Sequence, residues 1–331
     1  MLPRWILPVI FVLILTLVLP ISAHVPVSAA DNDAISSAVS LEKPTKSYVI
    51  YGHLHHAGDT AYYRLAMGKG DRLVVSLMTT GFGSPVPDII IMSPDNREVA
   101  GIVPAFVTVP AGYSAEIIRG KQPVKADYEP FSPAAIFEVA SYSNKTTVSG
   151  DYYIAIVSPA DETQYSIATG YLEEFSLQEW VLVPISVITG HLWEGQSVIA
   201  VFAPFIGTVV FGFFLIIRRE RDRARTKQPW FWFASFAGLL YLGGTSIVLV
   251  QMIRALMITG FSGAVALTLA FVIIPIILAV WLLRIARFKA SRSPLDRISL
   301  GCAGLLGLLF WAGLIIGPVL AFVAAIVPDR N

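Results

Sequence analysis

A run of 21 uncharged residues, 197–217 (SVIAVFAPFIGTVVFGFFLII), constrains this chain more than any other stretch. As a helix rising 1.5 Å per residue it is about 30 Å long, the thickness of a bilayer's hydrocarbon core. Residues 218–227 (RRERDRARTK) come directly after it and carry six basic side chains against Glu220 and Asp222. An apolar span with a basic flank reads as a membrane crossing that ends in the cytoplasm. The chain before the span is then expected outside, and the chain after it is expected in the membrane.

Three more apolar stretches lie at 230–258, 261–285 and 298–327, so the expected base is a four-helix transmembrane bundle. The basic loops 218–227 and 284–297 fall on one side of it, as the positive-inside rule requires. This predicts a multi-pass plasma-membrane protein with both the N-terminal domain and the C-terminus extracytoplasmic. The chain is 55% hydrophobic and only 14% charged, against about 25% charged in soluble chains. Gly313 and Gly317 stand four apart, a spacing that lets helices approach closely inside a bundle or against a membrane-protein partner. Gln251 and Arg254 are the polar residues that stand out at depth, and Arg254 is expected to pair with Glu194 above the first span. The spans hold no Asp, Glu, Lys or His between their ends, which disfavours a proton-coupled carrier.

The first 30 residues read as a signal peptide: Arg4, an apolar run, then small residues that place cleavage after Ala29 or Ala30. Residues 173–196, with Trp180 and Trp193 bracketing an apolar middle, read as an interfacial juxtamembrane segment.

Residues 31–172 are expected to form an extracytoplasmic domain. Short alternating runs such as SYVIYG (47–52), RLVVSLM (72–78), DIIIM (88–92) and DYYIAIV (151–157) are separated by Gly, Pro, Asp and Asn. Seven or eight such strands argue for an antiparallel β-sandwich. From 31 to 196 there are 10 Lys and Arg against 19 Asp and Glu, so nucleic acid is not an expected partner. Cys302 is the single cysteine, so no internal disulfide forms. Residues 102–133 carry five prolines and are expected to make a long excursion that offers a contact surface.

The order Gly58-Asp59-x3-Tyr63-x-Leu65, Gly70-Asp71-x-Leu73-x-Val75-x-Leu77, Pro87-Asp88-x-Ile90 and Gly150-Asp151-Tyr152-Tyr153-Ile154-x-Ile156, closed by Gln164-Tyr165-x-Ile167, resembles the bacterial pre-peptidase C-terminal domain. The resemblance covers about residues 47–170. It implies a jelly-roll-like sandwich with an accessory or binding role and no catalytic centre.

Among chemical signals, His53-Leu54-His55-His56 leads. On a strand, His53 and His55 share a face and could hold Zn²⁺ or Cu²⁺ with a further ligand; His56 and Asp59 lie close in sequence. Asp59, Asp71, Asp88 and Asp95 could bind Ca²⁺ but lack the packed acidic loop that cation uses. Asn144-Lys145-Thr146 is a glycosylation sequon. No GxSxG, HExxH or P-loop motif is present. The leading reading is therefore a non-enzymatic, membrane-anchored surface protein. It would bind an exported protein, a glycan or an envelope component, as an accessory subunit of a membrane complex. The alternatives are a metal-binding or enzymatic domain centred on the histidines, and a small-solute transport component.

Overall fold

The computed structural model describes residues 25–28, 32–95, 102–172, 174–220, 226–289 and 291–329. Most of the expected leader and the centre of the first basic loop, 221–225, lie outside the described residues.

The strands are β1 (Val25–Ser28), β2 (Val39–Leu41), β3 (Tyr48–Leu54), β4 (Thr60–Met67), β5 (Arg72–Thr79), β6 (Asp88–Ser93), β7 (Ser114–Ile118), β8 (Asp127–Glu129), β9 (Ala134–Lys145), β10 (Gly150–Val157) and β11 (Thr163–Thr169). They form two largely antiparallel sheets, ordered β1-β3-β11-β5-β9-β8 and β2-β4-β10-β6-β7. Alternating side chains of both sheets are excluded from water, among them Ile50, Val75, Leu77 and Ile167 of the first and Leu65, Ile154 and Ile156 of the second. Each such residue contributes about 1.5–3 kcal/mol by leaving water. Tyr63 of β4 and Tyr165 of β11 meet between the sheets, their hydroxyls 2.8 Å apart. Desolvation lifts the Tyr165 hydroxyl well above its ordinary pKa. The expected turns form as their residues dictate. Gly58 and Gly70 have φ of 91° and 90°, and the Asp71 carboxylate accepts the Gly68 N–H at 2.7 Å.

Strand β1 pairs in parallel with β3, Val25 opposite Tyr48. It lies inside the stretch expected to leave with the signal peptide, so cleavage after residue 29 or 30 would uncover that edge of β3.

The proline-rich excursion does more than expected. It contains β7 and β8, and its first half covers the outer face of the five-stranded sheet. Val107 and its neighbours Val103, Val109 and Tyr113 pack on Tyr62, Ile90, Met92, Ala155 and Val157. The Tyr62 hydroxyl accepts the Thr108 N–H at 2.8 Å. This explains why 88–92 reads DIIIM: the strand is buried on both faces, so alternation disappears.

The chain divides into two compact units, the second comprising Met78–Ser84, Lys121–Val139 and Ser176–Asn331. Its helices are α1 (Leu177–Trp193), α2 (Val198–Arg219), α3 (Pro229–Thr259), α4 (Val265–Phe288), α5 (Pro294–Leu309) and α6 (Ile316–Ile326). Of these, α2, α3 and α4 are long and apolar enough to cross a membrane. The juxtamembrane segment is α1, capped by Ser176, whose hydroxyl accepts the Glu179 N–H at 3.3 Å. The second half of the excursion belongs to this unit. Buried Tyr128 packs with Met252, Ala255 and Val265, and its hydroxyl lies 2.7 Å from Thr268 Oγ1. Thr268 in turn donates to the Pro130 carbonyl at 2.7 Å.

The fourth expected span, 298–327, is not one helix. It breaks at 310–315, where Trp311, Gly313, Leu314 and Ile315 all have positive φ, and α6 runs back along α5. The two far ends are tied together by Arg292, whose side chain is fully buried. It donates to the Val327 carbonyl at 2.6 Å, to Asp329 Oδ1 at 2.7 Å and to the Ala324 carbonyl. It also stacks 5.1 Å from the centre of the Trp230 ring. The irregular backbone at the tip satisfies itself: Ala312 N–H bonds the Gly307 carbonyl at 2.8 Å and Gly317 N–H bonds the Gly313 carbonyl at 3.2 Å. The Trp311 indole donates to the Trp180 carbonyl at 2.8 Å.

The glycines are spent inside this unit. A Cβ on Gly317 would sit 2.6 Å from the Tyr241 ring, and one on Gly313 would meet Leu240 at 2.9 Å. The Gly313 and Gly317 face is therefore the seat of α3 on the hairpin, not a free surface. Nor does Glu194 pair with Arg254. Its carboxylate takes Gln196 Nε2 at 3.1 Å and His191 Nδ1 at 3.3 Å. Gln196 and Gln251 exchange amide hydrogen bonds of 3.0 and 2.7 Å, while Arg254, one turn further along α3, is exposed. The amide pair satisfies Gln251 at depth without a charge.

Candidate metal centre

The histidine cluster stands at the end of β3. Strand geometry puts His53 and His55 on one face, and their rings lie 4.2 Å apart. The neighbouring strand supplies the third group. β3 pairs antiparallel with β11, with Gln164 opposite His53 and Thr163 opposite Leu54. Continuing that register sets Glu162 opposite His55 on the same face, and the ladder does continue: Glu162 N–H bonds the His55 carbonyl at 3.1 Å. Glu162 Oε2 lies 2.9 Å from His53 Nε2, and Glu162 Oε1 lies 4.0 Å from His55 Nδ1. One ligand atom from each residue falls within 4.8 Å of the others.

The two connections that carry these groups, β3 to β4 and β10 to β11, each run from one sheet to the other and are bonded to one another. Asp59 Oδ2 accepts the N–H groups of His55 at 3.1 Å and of His56 at 2.9 Å. Asp161 Oδ1 accepts the Ala57 N–H at 2.6 Å, and Gly58 N–H bonds the Ser158 carbonyl at 3.0 Å. Asp59 thus shapes the loop through its backbone bonds. His56 contributes its N–H to the same turn, and its ring is not part of the group. Glu162 has φ of 50°, a left-handed conformation that favours Gly or Asn and costs on the order of 1–3 kcal/mol for other residues. All three side chains reach solvent, His53 the least at 32%.

Elsewhere in the head, a cleft of about 280 Å³ is lined by Asp95, Ser114, Glu116, Tyr142 and Asn144. Ser114 donates to Asp95 Oδ1, and Thr147 donates to Asp95 Oδ2 at 3.1 Å. Asp95 is held as a turn carboxylate. Asn144 is exposed at the end of β9, while Thr146 of the same sequon is buried, its hydroxyl donating to the Gly68 carbonyl at 2.5 Å. Sequence reasoning placed His53 and His55 together but missed Glu162, more than a hundred positions away. Only the pairing register of β3 with β11 could have found it.

No family model and no curated protein matches the chain. Among solved structures it is similar to CorA of Methylomicrobium album BG8, described as a surface-associated copper-binding protein important in copper acquisition. The identity is 10%, the match covers 44% of this chain and 100% of that one, and the TM-score is 0.23. At that score the likeness bears on neither the fold nor the chemistry of this chain.

Proposed function

We propose that the chain is a non-enzymatic, membrane-anchored surface protein whose β-sheet head binds an extracytoplasmic protein or glycan. The observation that carries this reading is α2. Val198, Ile199, Ile206, Val210, Phe211, Phe214 and Ile217 are all exposed on it, and Val201 is its one buried residue. Such a helix is compatible with lipid and not with water. Together with the basic residues that come after α2 and α4, this favours a head outside the cytoplasm.

In this reading α2, α3 and α4 cross the bilayer, and the α5–α6 hairpin enters and returns on one side. Asp329 bonds Arg292, so both ends of the hairpin share the side of the loop after α4. This replaces the expected fourth crossing, and the C-terminal end becomes cytoplasmic. The head's exposed apolar residues Ile102 and Phe106, on the first half of the excursion, are its offered contacts. The accessory role implied by the pre-peptidase C-terminal resemblance agrees with such a head.

A photo-crosslinking residue in place of Ile102, in cells expressing the full chain, tests the reading. It should give a discrete adduct with an exported protein or surface glycan. Adducts confined to cytoplasmic proteins, or none at Ile102 and Phe106 alike, would refute it.

A further inference from the structure

We propose that His53, His55 and Glu162 form a binding site for one late first-row divalent cation, Zn²⁺ or Cu²⁺. The inference does not depend on which side of the membrane the head occupies, nor on what else the head binds.

The donor set points to this class of ion. Two imidazole nitrogens and one carboxylate oxygen suit zinc and copper, whereas calcium and magnesium take oxygen ligands almost exclusively. The spacing fits as well. Ligand atoms about 2.0–2.2 Å from an ion, at angles between octahedral and tetrahedral, stand roughly 2.9–3.4 Å from one another. His53 Nε2 and Glu162 Oε2 are already 2.9 Å apart, and the 4.0 Å between His55 Nδ1 and Glu162 Oε1 closes by a small rotation of exposed side chains. Three ligands on one face leave the remaining positions to water or to a donor from a partner.

The scaffold is built for the arrangement in two ways. Asp59 pins the β3–β4 connection to itself and Asp161 fastens it to the β10–β11 connection, both by accepting backbone N–H groups, which fixes the strand end that carries the histidines. A hydrogen bond between His53 and Glu162 would need neither His55 beside it nor a glutamate in a left-handed turn. A cation that all three contact accounts for both features. It also offsets the cost of the turn by drawing the carboxylate to the histidine face.

The test uses the full chain, purified in detergent without a polyhistidine tag and stripped with chelator. Cu²⁺ alone is added and followed by electron paramagnetic resonance; Zn²⁺ alone is added in competition with a chromogenic chelator. One equivalent of each should bind, with coupling to two imidazole nitrogens in the copper spectrum, and excess Ca²⁺ or Mg²⁺ should not displace them. Losing an outer-shell partner alone typically weakens a metal site 10–100-fold, so His55→Ala and Glu162→Gln should each cost about 100-fold or more. His56→Ala should leave the affinity unchanged. Both key positions are more than half exposed, so the variants should keep the wild-type circular dichroism and melting temperature. Absence of saturable binding would overturn the proposal. So would equal affinity in Glu162→Gln, or a loss in His56→Ala as large as in His55→Ala.

Discussion

Replacing Arg292 by Ala should loosen the helical unit more than any other single change at a charged residue. The guanidinium is fully buried and donates to two carbonyls at the end of α6 and to Asp329, while stacking on Trp230. The last carbonyls of a helix have no partners within it, so removing Arg292 leaves those of Ala324 and Val327 short of a donor. Charged hydrogen bonds are worth about 1.5–3 kcal/mol each, and breaking a buried pair costs about 3–5 kcal/mol. Asp329 is 35% exposed, which screens part of that loss, so about 3 kcal/mol is expected for Arg292→Ala. Arg292→Lys keeps the charge but not the fork, and should lose about 1–2 kcal/mol. Arg297, partly exposed and bonded to Asp329 by a single 3.0 Å contact, is the control: Arg297→Ala should cost under about 1 kcal/mol. Denaturant titration of the chain in mild detergent, read by tryptophan fluorescence, gives the ranking. An Arg292→Ala variant no less stable than Arg297→Ala would refute the latch.

Acid should undo the same latch within a defined window. Desolvation alone would raise the Asp329 carboxyl, but the hydrogen bonds and charges of Arg292 and then Arg297 hold it below its ordinary value. A depressed carboxyl stabilises the fold above the unfolded pKa of about 3.9 and loses that contribution as pH falls through the folded value. Stability should therefore be flat in this respect above about pH 5 and fall below about pH 4, and Asp329→Asn should remove that acid dependence. In the head, Tyr63→Phe strands the buried Tyr165 hydroxyl and should cost about 1–3 kcal/mol in thermal melts, with the Tyr63→Phe/Tyr165→Phe double variant costing less than the sum of the singles. Gly307→Ala would drive a methyl into the Tyr241 hydroxyl, so a destabilisation of about 1–3 kcal/mol is expected in the same denaturant titration. Thr268→Val removes the hydroxyl that links Tyr128 and Pro130 and should cost about 1–2 kcal/mol.

The three long apolar helices were legible because their signal is additive: length and hydropathy alone define α2, α3 and α4 to within a few residues. Local turn chemistry was legible for the same reason, at Gly58-Asp59 and Gly70-Asp71. The hairpin at 298–327 was not, because hydropathy does not record direction. A 30-residue apolar run reads alike whether it crosses once or folds back. The distinguishing marks are Gly304 and Gly307, which let Phe322 and Tyr241 approach, and Arg292 and Asp329 at its two ends. Strands β7 and β8 were hidden by the prolines around them, since the segment's job is to cover a sheet face and to seat Tyr128 on the helices. Glu162 lay beyond any local pattern, because a cross-strand neighbour is set by pairing register and not by spacing along the chain.

Single cysteines read with a membrane-impermeant maleimide on intact cells probe the sidedness directly. With Cys302 replaced by Ser, probes go at Ile102 in the head, at Ser291 after α4 and at Pro328 beyond α6. Ile102→Cys should react in intact cells, and Ser291→Cys and Pro328→Cys only after permeabilisation. Labelling of Pro328→Cys from outside while Ser291→Cys stays protected would restore a fourth crossing, and protection of Ile102→Cys would place the head in the cytoplasm.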